Sequence, residues 1–188
     1  MEKTSVQKLA GVLKVLVTVT FVCNLLVLPL VPGLAALGKG TMVSHADALL
    51  KDALGSLGWC FSLWAQPEQW GSNPAFSVLC LFLISCGVCT AVILWQARRV
   101  LGTVVAGNPF QDANGRSMKT AAVCCFLISA AALVRVVWRI LYYRSLASLC
   151  SYNALFVPLF AMGGLLCMVM SALFRQAYAL KSENDLTI

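Results

Sequence analysis

The 188-residue chain is poor in charge, since only 11% of its residues are charged, seven of these are acidic and there is a single histidine. Soluble domains carry about a quarter charged residues, so an ordinary soluble domain is excluded. Disorder is also excluded, because it requires low hydrophobicity, whereas 60% of these residues are hydrophobic and lie in long blocks. The composition is that of an integral membrane protein.

Acids and histidine are too few for most catalytic or metal chemistry. His45 lies near Asp47 and Asp52 in a polar segment, and one histidine with two carboxylates in such a segment is typical of solvated side chains rather than of a zinc site. The sequence has no Gly-x-Gly-x-x-Gly, no Walker loop and no Ser/His/Asp set with a base. We therefore predict a protein that is not an enzyme and uses no metal and no cofactor.

Four apolar runs are long enough to cross a hydrocarbon core, which takes about 20 helical residues. They cover residues 9–31, 76–95, 120–140 and 154–174. A β-barrel would show short segments of alternating polarity, whereas these runs are continuous. We predict an all-α fold in which residues 1–188 form one polytopic four-helix membrane bundle, with an outer segment at 33–72.

Lysine and arginine flank the spans unequally, with nine on the side of both termini and of the loop between spans two and three, and three on the other side. Cytoplasmic loops accumulate such cations. We therefore predict a multi-pass protein of the cell membrane whose N- and C-termini are both cytoplasmic. The nine are Lys3, Lys8, Lys14, Arg98, Arg99, Arg116, Lys119, Arg175 and Lys181, and the three are Lys39, Lys51 and Arg144.

Two Asn-Pro pairs mark helix starts, because Asn caps a helix and Pro suits its first turn. The pair at Pro74 predicts a helix that runs to Ala106 and stops at Gly107. The pair at Pro109 predicts a helix that runs to about Arg144. Each would be about 50 Å long, against a hydrocarbon core of about 30 Å. We predict that residues 96–119 form a helical hairpin that projects into the cytoplasm; snorkelling cations at a stop-transfer boundary are the alternative.

The nine cysteines allow two kinds of chemistry. Cys60 and Cys150 fall on the predicted outer side, where oxidising conditions would let them form one disulfide. Cys86-Gly-Val-Cys89 has the spacing of a thiol oxidoreductase motif, which leaves a membrane thiol-disulfide oxidoreductase as an alternative function. Both thiols fall near mid-bilayer with no basic residue to activate them, so we favour a packing role.

Arg135 and Arg139 lie inside the third predicted span, and their spacing places them on one helix face. Charges within a bilayer are costly and are functional candidates. No acid lies in any span to pair with them, so Asn24 or carbonyls freed around Pro158 are the candidate partners. Binding of a lipid phosphate or small anion there defines the second alternative, a lipid or small anionic-ligand binding or transport module.

Two segments on the predicted cytoplasmic side carry a family resemblance. The hairpin reads Gly107-Asn108-Pro109-Phe110-Gln111-Asp112-Ala113-Asn114, and the chain ends Leu180-Lys181-Ser182-Glu183-Asn184-Asp185-Leu186-Thr187-Ile188. In a protein of this size with four spans, they resemble the prokaryotic membrane protein family known as domain of unknown function 2975. Members of that family are typically encoded beside a small helix-turn-helix regulator. The resemblance implies a regulatory membrane protein that sequesters, or signals to, a DNA-binding protein.

The predicted partner-binding surface combines the hairpin with the tail, residues 175–188. The acids of the tail and the cations of the hairpin can attract each other within a Debye length, about 8–10 Å, which favours a docked tail over a free linear motif or a solvated end. Basic residues are spread over three short segments, so no direct nucleic-acid binding is expected; membrane lipids are expected neighbours, and a homo-oligomer stays open. The predicted partner-binding residues are Asn108, Pro109, Phe110, Asn114, Arg116, Glu183, Asn184, Asp185, Leu186, Thr187 and Ile188.

Overall fold

The computed structural model describes residues 5–37, 58, 64, 74–144 and 152–185, and these ranges contain helices and turns but no strand. The elements are α1 (Ser5–Val27), a 3-10 turn (Leu28–Leu30), α2 (Val31–Leu37), α3 (Pro74–Val105), α4 (Asp112–Tyr143) and α5 (Tyr152–Asp185). The predicted all-α class is confirmed.

Four helical stretches are long and apolar enough to cross a membrane, and each overlaps one predicted span. They are Ser5–Gly33, Pro74–Val105, Asp112–Tyr143 and Ala154–Glu183. The 32 residues of α3 and of α4 give each helix a length of about 48 Å at 1.5 Å per residue. Both helices therefore extend well beyond a hydrocarbon core of about 30 Å, as the sequence predicted.

The helices divide into two compact units, one of residues 23–88 and one of residues 1–22 with 89–188. The smaller unit has a core of Ala35, Phe76 and Cys80. Its 3-10 turn, where a proline takes the first turn, is held by Trp64, whose indole Nε1–H donates to the Pro29 carbonyl at 2.8 Å. An apolar core and the indole bond to the 3-10 turn are thus features of this unit.

The larger unit is built around α4. In the membrane-length window of α4, 44% of the residues are buried, against 11% in each of the other three windows. The buried positions recur every three or four residues, the spacing of one helix face. They are Asn114, Gly115, Ser117, Ala121, Ala122, Cys124, Cys125, Ile128, Ser129, Ala132 and Val136. Small residues dominate this face, which lets neighbouring helices approach closely.

Two serine hydrogen bonds join α4 to α5 in an antiparallel register. Ser129 Oγ on α4 donates to the Val157 carbonyl on α5 at 2.8 Å. Ser171 Oγ on α5 donates in turn to the Gly115 carbonyl on α4 at 2.6 Å. Each helix therefore donates once to the other, and the two bonds are separated by 14 residues, or about 21 Å, along α4.

Aromatic side chains mark two levels of this unit. Near the end of α4, Trp138 stacks on Tyr142 with ring centroids 4.9 Å apart. At the other level, Trp95 on α3 packs against Phe21 at 5.7 Å. The contacts between α3 and α4 set Trp95 opposite about Thr120, which is 18 residues, or about 27 Å, from Trp138. That separation matches the thickness of a hydrocarbon core, and aromatic residues collect at its two interfaces.

Candidate functional site at the helical hairpin

The turn between α3 and α4 is closed by backbone hydrogen bonds around Gly107. The Asn108 N–H donates to the Thr103 carbonyl at 3.0 Å, and the Gly107 N–H donates to the Val104 carbonyl at 3.0 Å. Gly107 has a φ of +78°, a left-handed conformation that glycine adopts at little cost. This pair of bonds is a Schellman motif, so α3 ends at the glycine predicted to stop it.

Helix α4 begins at Asp112, so the prediction of a start at Pro109 is wrong. Asn108 belongs to the Schellman motif, and its side chain faces another helix instead of capping α4. Gln111 occupies the N-cap position in an extended conformation, φ −126° and ψ 142°, without a side-chain capping bond. Asp112 then lies in the first turn, where the helix dipole favours a negative charge.

The buried Asn114 side chain holds this turn through two hydrogen bonds. Its side-chain amide donates to Thr103 Oγ1 at 2.7 Å and to the Pro109 carbonyl at 2.6 Å. The Thr103 hydroxyl itself donates to the Val100 carbonyl at 2.7 Å, so towards Asn114 it accepts. Asn114 is 1% exposed, and its Oδ1 has no hydrogen-bond partner among the described residues. The end of α3, the Pro109 turn and the start of α4 are therefore tied together at one buried amide.

The C-terminal helix reaches the tip of the hairpin. Helix α5 continues to Asp185, and its Lys181 Nζ donates to Asn108 Oδ1 at 3.2 Å. The contact between tail and hairpin is thus made here by a lysine and an amide, while Glu183 lies exposed nearby on the same helix. Two segments that are 73 residues apart in sequence form one surface.

Phe110 is the exposed aromatic side chain of this surface. It is 47% exposed and lies between the two helices, where the Gln111 N–H donates to the Pro109 carbonyl at 3.2 Å. Arg116, in the first turns of α4, has a side chain 76% exposed and pairs with Asp112 at 2.7 Å. An ion pair this open to water adds little stability, so the Arg116 guanidinium is available to another partner.

We call this part of the larger unit the hairpin end. The N-terminus of α1 belongs to it, because Gln7 Nε2 lies 3.2 Å from where a Cβ on Gly107 would be. Its described basic side chains outnumber those at the opposite end of α4, which are Arg135, Arg139 and Arg144. The basic residues of the hairpin end are Lys8, Lys14, Arg98, Arg99, Arg116, Lys119, Arg175 and Lys181.

Two cavities of about 420 Å³ each open at this end. The first lies between α3 and α4, and its polar lining includes Gln96, whose Oε1 has no hydrogen-bond partner in the part of the chain that the structure describes. The second lies between α1 and α3 and is lined by Lys14, Trp95, Arg98, Arg99 and Gly102. Arg99 lines both cavities.

A family model described as "Protein of unknown function (DUF2975)" matches residues 63–188, about two thirds of the chain. The chain belongs to the DUF2975 family. The match includes α3, α4, α5 and the whole hairpin, and it begins after α1 and α2. No curated protein and no solved structure matches the chain significantly.

In this DUF2975 member the predicted site residues lie in several different environments. Asn108, Phe110 and Arg116 are exposed at the hairpin tip, Pro109 is half-buried, and Asn114 is buried beneath them. Glu183 is exposed on α5. Asn184 and Asp185 complete that helix, and nothing further is described of their side chains. Leu186, Thr187, Ile188, Cys60 and Cys150 lie outside the described residues, so the proposed disulfide stays a prediction.

The two arginines of the third span lie far from the hairpin. Arg135 and Arg139 are both half-buried near the Trp138 end of α4. The carbonyl of Val157, next to Pro158 on α5, accepts a hydrogen bond from Ser129 of α4. The structure does not bring these arginines together with the hairpin residues, and ligand binding by them stays a prediction.

Cys86 and Cys89 are not in a disulfide, and the residues around the motif are used in packing. The intervening Gly87 lies against Leu28, whose Cδ2 is 2.7 Å from where a Cβ would be. Cys89 hydrogen-bonds with Cys124 across α3 and α4, and Cys125 does so with Cys167 across α4 and α5. These thiol pairs are small contacts between helices.

Sequence reasoning missed Thr103 and Lys181, which hold the hairpin, and Lys14 and Trp95, which line a cavity. Thr103 was identifiable only in part: it lies one turn before Ala106 and Gly107, where a hydroxyl can reach the turn. The pairing of Lys14 with Gly102 has no local signal, because it joins residues 88 positions apart in sequence.

Proposed function

We propose that this protein is a non-enzymatic, regulatory membrane protein that binds a small helix-turn-helix transcription regulator through its hairpin end. The observation that carries the proposal is the contact of Lys181 with Asn108, which joins the hairpin motif and the C-terminal motif into one surface. Those two segments are the ones that carry the resemblance to DUF2975. A surface assembled from both is more consistent with a shared binding partner than with two separate roles.

The charge distribution supports a cytoplasmic position for this surface. Eight described cations lie at the hairpin end against three at the opposite end of α4. Cations near the ends of membrane helices remain on the cytoplasmic side. We therefore propose that the hairpin, the N-terminus and the C-terminus all face the cytoplasm of a cell membrane, where a transcription regulator is present.

The distance of the hairpin tip from the membrane supports a protein partner for it. From Trp95 to Val105 the helix rises ten residues, or about 15 Å, whereas one headgroup layer is about 5–7 Å thick. The tip around Phe110 thus clears the lipid headgroups. An exposed aromatic ring within a polar, charged rim is the usual anchor of a protein interface.

The positive charge of the hairpin end determines which face of the regulator can bind to it. The DNA-reading face of a helix-turn-helix protein must be basic to meet phosphates, and the cations of the hairpin end would repel it. An acidic face elsewhere on the regulator would be attracted. We therefore propose tethering to the membrane, with the regulator held through a face other than the one that reads DNA.

The test is a direct binding measurement. The full chain in lipid nanodiscs is titrated with a purified small helix-turn-helix regulator of the kind that the family resemblance implies, and the affinity is measured by biolayer interferometry at two salt concentrations. Phe110→Ala should weaken binding about tenfold or more, as expected for an interface anchor. Phe156→Ala is the matched control, because Phe156 is also exposed, at 39%, but lies near the start of α5, away from the tip.

Two results would overturn the proposal. One is no binding of the regulator by the unmodified protein at either salt concentration. The other is an equal loss for Phe110→Ala and Phe156→Ala, which would separate binding from the hairpin tip. A binding constant that weakens as salt rises would support the charged component of the interface.

A further inference from the structure

The cavity between α1 and α3 gathers positive charge. Of its five lining residues, Lys14, Arg98 and Arg99 are cations, and none is acidic. None of these three cations has a carboxylate partner within the described ranges 5–37, 74–144 and 152–185. Like charges that share one site repel each other, so an anion bound among these three cations would lower that repulsion.

Two contacts hold the cations in place. The Arg98 guanidinium carbon lies 5.9 Å from the centre of the Trp95 ring, within the range of a cation–π interaction. Lys14 crosses over Gly102, with Nζ 3.5 Å from where a Cβ on that glycine would be. A Cβ there would be in ordinary van der Waals contact with the ammonium group. The Trp95 ring thus supports one cation, and the other lies directly over Gly102.

The depth of the cavity indicates the kind of anion. Trp95 lies at the level of the membrane interface, about 27 Å along the bundle from Trp138, and lipid phosphates lie just outside the hydrocarbon core. Next to Lys14, α1 exposes Leu13 at 47% and Leu16 at 58%, which provides apolar surface for acyl chains. Basic pockets between membrane helices on the cytoplasmic side are recognised binding places for acidic headgroups.

We propose that the cavity of Lys14, Trp95, Arg98, Arg99 and Gly102 binds the phosphate ester of an anionic phospholipid. A volume of about 420 Å³ is within the range of small-ligand sites, about 300–1,000 Å³, and accepts a phosphoglycerol headgroup. A zwitterionic lipid would bring its own cation next to three others, so the site discriminates against it. This site is distinct from the hairpin tip and does not depend on a protein partner.

The experiment measures lipid retention by native mass spectrometry on the full chain in detergent. Phosphatidylglycerol and phosphatidylcholine are added separately over a concentration series. The test variant is Lys14→Gln/Arg98→Gln, which leaves Arg99 untouched. The control is Lys8→Gln/Lys119→Gln, which removes the same charge from exposed positions at the same end without touching the lining.

We expect phosphatidylglycerol to be retained in preference to phosphatidylcholine, and the test variant to bind it about 25-fold more weakly, since each basic residue near an anionic surface contributes about a factor of five. The control should lose less than about threefold. Equal affinities of the test and control variants would overturn the proposal, and so would equal retention of the two lipids.

A second arm separates the lipid from a soluble anion. Inorganic phosphate and glycerol phosphate are added, and the thermal midpoint of the delipidated protein is followed. Stabilisation by either soluble anion that equals stabilisation by phosphatidylglycerol would overturn the lipid assignment. A rise with phosphatidylglycerol alone, lost in the test variant and kept in the control, supports it.

Discussion

Replacing Asn114 with alanine should loosen the hairpin while leaving the membrane helices folded. The change removes two hydrogen bonds, to Thr103 Oγ1 at 2.7 Å and to the Pro109 carbonyl at 2.6 Å. Each is worth about 1 kcal/mol net, and the acceptors left without a donor add to the loss. Removal of the Asn114 Oδ1, which has no described partner, offsets part of it. The expected cost is about 2 kcal/mol of local stability.

Hydrogen exchange measured by mass spectrometry reports this loss where it occurs. The Gly107 and Asn108 amides are protected by the Schellman bonds, and they exchange when the turn opens. A loss of about 2 kcal/mol speeds their exchange about 30-fold. Peptides covering residues 103–114 should show the change, while peptides from the middle of α5 should not.

Substitutions at Thr103 dissect the effect. Thr103→Val removes one of the two acceptors and should speed exchange about fivefold, which corresponds to about 1 kcal/mol. Thr103→Ser keeps the acceptor and should change little. If Asn114→Ala leaves exchange within twofold of the unmodified protein, the buried amide does not hold the turn and the reasoning is wrong.

Four further substitutions test the packing by thermal or detergent unfolding. Gly115→Ala should destabilise by about 1 kcal/mol, because its Cβ would come within 3.3 Å of a backbone oxygen of α5, whereas Gly163→Ala, with nothing within 4 Å, should stabilise by up to about 1 kcal/mol; the same sign for both would contradict this. Ser129→Ala removes the bond to Val157 at 2.8 Å and should cost only about 0.6 kcal/mol, as such bonds do within membranes. Trp64→Phe removes the indole bond at 2.8 Å that holds the 3-10 turn and should cost about 1 kcal/mol, so an unchanged midpoint would count against that role.

The length and apolar character of the helices were readable from sequence, because crossing a bilayer demands long continuous apolar runs. The stop at Gly107 was readable too, since glycine followed by Asn-Pro indicates a helix end. The start of α4 was not, because the same Asn108 suits both the end of one helix and the cap of the next. In the folded chain the Asn108 side chain accepts from Lys181, which is 73 residues away and gives no local signal.

The sequence contains a signal for the continuation of α5 to Asp185 that the prediction of a tail at residues 175–188 did not use. Past Gly164 the chain contains no glycine or proline, and residues 172–183 are mostly strong helix formers. The central place of α4, by contrast, had no reliable signal. In lipid an apolar surface can face either the bilayer or another helix, so hydropathy does not distinguish the buried face of α4 from the exposed face of α5.

The reciprocal serine bonds between α4 and α5 lock the position of these two helices along each other. Because Ser129 and Ser171 bind carbonyls on opposite helices about 21 Å apart, a slide of one helix along the other would break both bonds at once. The two bonds therefore fix the register of α4 against α5 at two separate levels, and any shift between these helices has to disrupt both levels.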